Sequence, residues 1–279
     1  VGDVSTPKVG ITGSVDIGHT STGSVTLNGT AYNIDGATTI TTTTADDKII
    51  IGGDMTIKTA DDKVEFVGGK ILLNDDKNLT ITATGGDVTL TEIGGTSSEV
   101  VDIEGATITA GVIGNADEIK SVKLDGSTKV VLGGNITTSN TTLNKVEIVG
   151  DAELSTNITI NTSANNGLID FSGKIDSDST TKHTLTLTSA AGNIAVDGAI
   201  GSSKDIGALK LEAGSGSVTV AAISTDTGNV TIDGSGEVTL KGDITTAGGN
   251  IDINEAIIAF LEVVSNMPIN KIRNTKTKG

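Results

Sequence analysis

The chain has no cysteine, no tryptophan, one tyrosine, three phenylalanines and two prolines among its 279 residues. Without cysteine there are no disulfides, thiolate metal sites or cysteine nucleophiles. Aromatic side chains supply much of the buried area of ordinary globular cores, so their scarcity indicates a core of valine, isoleucine, leucine and alanine built by repetition. The 37 glycines, together with abundant threonine, serine, asparagine and aspartate, favour many short strands joined by tight turns.

Positive charge is also scarce. The formal net charge is −16, and the single arginine is Arg273. This excess of negative charge disfavours nucleic acid and anionic lipid, so we predict no nucleic-acid partner. No apolar stretch is long enough to cross a bilayer as a helix, and we predict no membrane span. The chain begins with Val1 rather than methionine, so we expect a processed form or a piece of a longer chain.

A five-residue pattern recurs through most of the chain: apolar, any residue, apolar, any residue, glycine. Examples are Val25-Thr26-Leu27-Asn28-Gly29 and the residues from Val146 to Gly150. Alternation of apolar and polar residues is the period of a strand with one buried face. The glycine that follows reaches turn conformations that strain other residues. We therefore predict a strand and a corner at each copy, with structural turn glycines at Gly29, Gly53, Gly68, Gly105, Gly126, Gly150, Gly173, Gly198, Gly234 and Gly242.

The spacing of the glycines predicts the architecture. The five from Gly105 to Gly198 follow one another at intervals of 21, 24, 23 and 25 residues. Elsewhere a second copy follows after 7 or 8 residues, as at Gly126 and Gly134. These intervals indicate about three strands per coil of roughly 24 residues. We predict an all-β, single-stranded parallel β-helix (β-solenoid) of about eleven coils, a rod about 50 Å long. An antiparallel β-sandwich or a tandem of small β domains remains the alternative fold.

The glycine pattern stops near residue 253, which divides the chain into a solenoid at 1–253 and a C-terminal segment at 254–279. Residues 254–264 contain no glycine and do not alternate. Four apolar residues there would share one face of a helix: Ile257, Phe260, Leu261 and Val264. We predict a short helix that caps the open end of the stack, followed by a basic tail.

Three Asp-Asp-Lys triplets precede predicted strands. Their carboxylates are candidate calcium ligands, because calcium prefers oxygen and corners of stacked coils bring side chains together. The six candidates are Asp46, Asp47, Asp61, Asp62, Asp75 and Asp76. The glycine-aspartate nonapeptide of calcium-binding β-rolls is absent, and solvated turn residues are the simpler interpretation. We predict no cofactor and keep calcium as the alternative.

Polysaccharide lyases and hydrolases, which β-helices also support, are the main enzymatic alternative. Such sites need a basic residue, paired carboxylates and aromatic platforms for sugar rings. Here Arg273 lies in the tail, and His19 and His183 are isolated, without a companion motif. We therefore predict no catalytic residue and no enzyme. A groove that combines acidic side chains with lysine would favour the enzyme.

Three segments resemble the repeats of filamentous-haemagglutinin-type exoproteins and autotransporter passengers: residues 192–200, 228–234 and 238–246. The likeness is one of repeat style and covers about residues 10–253. It implies a right-handed β-helix that is secreted by a bacterium or displayed on its surface. It also implies a structural or adhesive role as stalk, filament or surface-layer subunit. The implied partners are further copies of the chain or a ligand on a host or neighbouring cell. A phage tail-fibre segment is a further alternative.

Overall fold

The structure, a computed structural model, describes residues 11–18, 23–115, 117–138, 144–178, 181–254, 256–259 and 272–274. Apart from one 3-10 helix at Ser163–Asn165, the regular elements of these residues are β-strands. Every pairing between these strands is parallel. The predicted parallel β-solenoid is therefore confirmed, and the alternative of antiparallel hairpins is wrong.

The chain passes through three faces in each turn, and each strand pairs with strands one turn away. Face A contains Ile11–Thr12, Ala31–Asp35, Met55–Thr59, Leu79–Ala83, Lys145–Val149, Leu168–Phe171, Ile194–Val196, Val218–Val220, Glu237–Leu240 and Ala256–Ala259. Face B contains Val15–Gly18, Thr38–Thr41, Val64–Val67, Val88–Leu90, Ala152–Leu154, Ile175–Ser177, Ile223–Thr225 and Ile244–Thr246. Face C contains Val25–Leu27, Lys48–Ile51, Lys70–Leu73, Ile93–Gly94, Ile136–Thr137, Ile158–Asn161, Leu185–Thr188, Leu209–Gly214, Val230–Gly234, Ile251–Ile253 and Ile272–Asn274. Two long strands turn the corner between faces A and B, Val100–Ala110 and Ser121–Leu132.

The interior consists of aliphatic ladders that run from turn to turn. The register on face C stacks ten residues, each at most 1% exposed: Ile49, Ile71, Ile93, Ile113, Ile136, Ile160, Leu187, Leu211, Ile232 and Ile253. Burying one such side chain contributes about 1.5–3 kcal/mol. About ten turns at a strand spacing of about 4.8 Å give a rod about 50 Å long. The alternation in the sequence works because every second residue of a strand joins a ladder.

Glycines form a closely stacked column at the corner between faces A and B. A Cβ added to Gly173 would lie 2.2 Å from the carbonyl oxygen of Gly150, and one added to Gly150 would lie 2.1 Å from that of Gly126. Gly150 also has a φ of +91°, in the left-handed region. The backbones of successive turns therefore approach too closely here for any side chain. Gly126 lies within a continuous strand, Ser121–Leu132, rather than at the end of one.

Asparagine side chains at other corners join successive turns. The Oδ1 atoms of Asn135, Asn157, Asn193 and Asn229 each accept a hydrogen bond from a backbone N–H about one turn later, at 2.8–3.0 Å. At Asn193, for example, the donor is the N–H of Ser217. These bonds satisfy backbone donors at corners, where the regular ladder of the sheet is interrupted.

The C-terminal segment continues the winding instead of forming the predicted cap. Ala256–Ala259 is a strand that pairs with Glu237–Leu240, and Ile272–Asn274 pairs with Ile251–Ile253. The helix predicted at 254–264 is therefore wrong at 256–259, while 255 and the residues after 259 lie outside the described ones. The physical reason is that the last turn offers unpaired backbone groups, whereas a helix of about ten residues is marginal by itself.

Candidate functional site

The outer side of face B carries an open groove with a volume of about 220 Å³. It extends over four consecutive turns and combines three lysines with three acids. We call it the lysine groove and define it by Lys129, Asp151, Glu153, Lys174, Asp176 and Lys204. Because outward residues of successive turns lie about 4.8 Å apart, side chains far apart in the sequence become neighbours here.

The charged groups of the groove are held to different degrees. The Nζ atom of Lys129 lies 3.2 Å from both carboxylate oxygens of Glu153. The contacts of Lys174 are longer, at 3.6 Å from its Nζ to Asp151 Oδ2 and 3.4 Å to the hydroxyl of Ser203. Lys204 forms no ion pair with any residue that the structure describes. The lysine at the far end is thus the one with the least internal neutralisation.

One wall of the groove is a loop that leaves face B between Ile200 and Ile206. Asp176 Oδ1 accepts hydrogen bonds from the N–H groups of Ser203, at 2.9 Å, and Lys204, at 3.1 Å. The carbonyl oxygen of Lys204 accepts one from the N–H of Ser177, at 3.3 Å. The loop is therefore tied through its backbone to the preceding turn, which leaves the lysine side chain for other contacts.

This loop has a counterpart on face C, between Ile113 and Ile119. Both loops open with a glycine in the left-handed region, Gly201 at φ +71° and Gly114 at φ +69°. In each, the two flanking isoleucines bridge to positions two residues apart on the next turn. The shared sequence signal is Ile-Gly, four residues, Ile. The sequence analysis missed this motif because it contains neither alternation nor a glycine at the corner spacing.

The loop on face C contributes to a second charged cluster. The Nζ atom of Lys70 lies 2.9 Å from Glu92 Oε1 and also contacts the carboxylate of Asp117, so it joins three turns. Burial acts to lower the pKa of Lys70, but hydrogen bonds to Asp117 and Glu92 outweigh it and hold that pKa above its ordinary value. A Cβ on Gly94 would lie 2.6 Å from Lys70 Cε, so this glycine leaves space for the lysine.

A fully buried carboxylate lies next to the face C loop. Glu99 is 0% exposed. It accepts hydrogen bonds from the hydroxyl and N–H of Thr96, at 2.6 and 2.8 Å, and from the N–H groups of Ser97, Ser98 and Asp76, at 3.0, 3.1 and 3.2 Å. Burial raises the pKa of Glu99, but these hydrogen bonds outweigh it and hold that pKa below its ordinary value. Glu99 therefore connects two corners by charge-assisted hydrogen bonds.

The candidate calcium ligands are distributed over three different corners. Asp46 and Asp47 precede the face C strand Lys48–Ile51, Asp61 and Asp62 precede the face B strand Val64–Val67, and Asp75 and Asp76 follow the face C strand Lys70–Leu73. Asp47 accepts bonds from the N–H groups of Gly23 and Thr44, and Asp76 donates its N–H to Glu99. Within the described ranges, no group of three or more histidine, cysteine, aspartate or glutamate side chains could hold a metal ion.

One of the two histidines falls within the described residues. His183 is 9% exposed, its Nε2 lies 3.5 Å from Asp178 Oδ2, and its N–H donates to Ser177 Oγ at 3.0 Å. It lies at a corner and does not line the lysine groove. His19 lies outside the described residues.

No family model, curated protein or solved structure matches this chain. The resemblance to filamentous-haemagglutinin-type repeats therefore has the support of the fold alone, a parallel β-solenoid with a regular repeat. Within the part of the chain that the structure describes, no helix is long and apolar enough to cross a membrane.

Proposed function

We propose that this chain is a non-enzymatic structural and adhesive module of a secreted bacterial surface protein, of the filamentous-haemagglutinin or autotransporter-passenger type. The observation that carries the proposal is the uninterrupted aliphatic interior, in which ten stacked residues of face C are at most 1% exposed. Each turn of such a stack is stabilised by its neighbours, so the whole behaves as a stiff rod. A rod holds a binding surface at a distance from the cell that carries it.

The outward positions supply the surface for adhesion. The lysine groove and the two loops lie outside the ladders, so they can vary without a change in the core. The surface offers few aromatic anchors of the kind that dominate tight interfaces. Adhesion would therefore depend on many weak contacts made by several copies at once, whose combined avidity exceeds each single affinity.

Three measurements test the proposal. Antibodies raised against the chain should label intact cells of the source bacterium. Electron microscopy of the purified protein should show rods, with end-to-end or lateral assemblies as concentration rises, with and without calcium. Beads coated with the protein should adhere to host or bacterial cells more than beads coated with albumin. Absence of surface labelling and of both assembly and adhesion would contradict the proposal.

A polysaccharide-active enzyme is the second candidate, and the lysine groove is the observation that favours it. Lysine and carboxylate side chains share one groove, as the sugar chemistry of such enzymes requires. Incubation with a panel of acidic polysaccharides tests this function. Released oligosaccharides that disappear in the Lys174→Gln and Lys204→Gln variants would favour the enzyme over the passive rod.

A further inference from the structure

We propose that the lysine groove binds an acidic oligosaccharide, with a sugar carboxylate between Lys174 and Lys204. The inference rests on the proposed adhesive function and names the ligand class for it. It is a claim about one groove, and its test in solution is separate from cell adhesion.

The first argument is the supply of cationic groups. Lys204 has no ion-pair partner among the described residues, and the Nζ atom of Lys174 is 3.6 Å from its nearest carboxylate oxygen. On open strands, by contrast, Lys63, Lys145 and Lys210 each lie 2.7 Å from a glutamate two residues later. An incoming carboxylate would thus gain two charge-assisted hydrogen bonds in exchange for one long contact.

The second argument is the polar composition of the rest of the groove. Asp151 and Glu153 supply acceptors, and the hydroxyls of Thr128 and Ser203 supply groups that both donate and accept. These groups lie on four successive turns about 4.8 Å apart, so they extend along a line. A polymer that carries several hydroxyls and one acid group per unit fits this arrangement better than a compact anion does.

The third argument is preorganisation. The Ser203 and Lys204 backbones are fixed by Asp176, and the strands beneath are held by their ladders. A ligand therefore does not have to order the loop, which reduces the entropic cost of binding. The remaining cost is the ordering of two lysine side chains.

The experiment uses the full chain and calorimetric titration at low salt. The probes are a tetramer of galacturonic acid, the neutral tetramer of galactose and inorganic phosphate. We expect binding of the acidic tetramer, with affinity about tenfold lower in Lys204→Gln and undetectable in the Lys174→Gln, Lys204→Gln double variant. Neither the neutral tetramer nor phosphate should match the acidic tetramer.

The matched control is Lys210→Gln, which removes the same charge from face C. Circular dichroism and thermal unfolding of each variant establish that the fold is intact. Unchanged binding in the double variant, an equal loss in Lys210→Gln, or equal affinity for phosphate or the neutral tetramer would each overturn the inference. Binding in solution by a protein that does not adhere would leave the groove standing and refute the adhesive function. Adhesion that survives the double substitution would do the reverse.

Discussion

Replacement of Glu99 is the sharpest test of how the corners are held. The carboxylate is fully buried and accepts five hydrogen bonds, four from backbone N–H groups and one from the hydroxyl of Thr96. In Glu99→Gln, one oxygen becomes an NH₂ group that cannot accept. Since Oε2 faces three N–H groups, the amide nitrogen takes the position of Oε1, opposite the N–H of Asp76 and the Thr96 hydroxyl.

The hydroxyl can rotate to accept, but the N–H of Asp76 loses its acceptor. An unsatisfied buried donor costs about 1–3 kcal/mol, and the loss of negative charge weakens the remaining bonds. We therefore expect Glu99→Gln to lower the free energy of unfolding by about 2–3 kcal/mol at pH 7. Glu99→Ala leaves every donor unpaired and should cost about 3–5 kcal/mol.

The effect should depend on pH with a definite sign. The pKa of Glu99 is lowered by folding, so its contribution is fully present above the unfolded value near 4.5 and is lost as pH falls through the folded pKa. The stability difference between wild type and Glu99→Gln should therefore shrink below about pH 4.5. Urea denaturation of both proteins at pH 7 and at steps down to pH 3 measures it.

Glu104→Gln is the matched control, because Glu104 is exposed on face A. It should change stability by less than about 0.5 kcal/mol at every pH. A Glu99→Gln variant as stable as wild type at pH 7, or a difference that does not vary between pH 7 and 3, would refute the assignment of a charge-dependent corner.

Four other predictions concern the stack, and denaturant unfolding measures all of them. Gly173→Ala should destabilise strongly because its Cβ would lie 2.2 Å from the Gly150 carbonyl oxygen, whereas Gly248→Ala, with nothing within 4 Å, should be neutral or stabilising by up to about 1 kcal/mol; equal effects would refute the close stacking. Ile136→Ala should cost about 2–5 kcal/mol and Ile136→Val about 0.5–1.5; similar costs would argue against a close-packed ladder. Asn193→Ala should cost about 1 kcal/mol and Asn193→Asp, which keeps the acceptor, less; the opposite order would exclude the bond to Ser217. Asp170→Asn should stabilise slightly at pH 7, because burial and repulsion from Asp197 and Glu147 raise the pKa of Asp170; a loss of stability would contradict this.

The regular part of the fold could be predicted because it rests on local signals. Alternation identifies the strands, and the interval of the glycines from Gly105 to Gly198 reports the length of a turn. The C-terminal strand Ala256–Ala259 could not be predicted in this way. Its apolar residues match a helical period, and the deciding factor is the unpaired edge of a turn formed by distant residues.

The charged sites were beyond local signals for a different reason. Lys129, Lys174 and Lys204 belong to three different turns, and their proximity depends on the position of each corner. Irregular turn lengths, such as those containing the Ile-Gly-x₄-Ile loops, shift that position by several residues. The same shift explains why the three Asp-Asp-Lys triplets, regular in sequence, occupy different corners.

The two loops make the solenoid tolerant of insertions. Each begins and ends at a buried isoleucine, Ile113 and Ile119 in one and Ile200 and Ile206 in the other, and these residues fix where the backbone leaves and rejoins the wall. The length of the segment between them is set by no contact with the interior. Foreign peptides grafted between such anchors should therefore be displayed sideways from the rod without disturbing its winding, which makes both positions suitable for presenting epitopes.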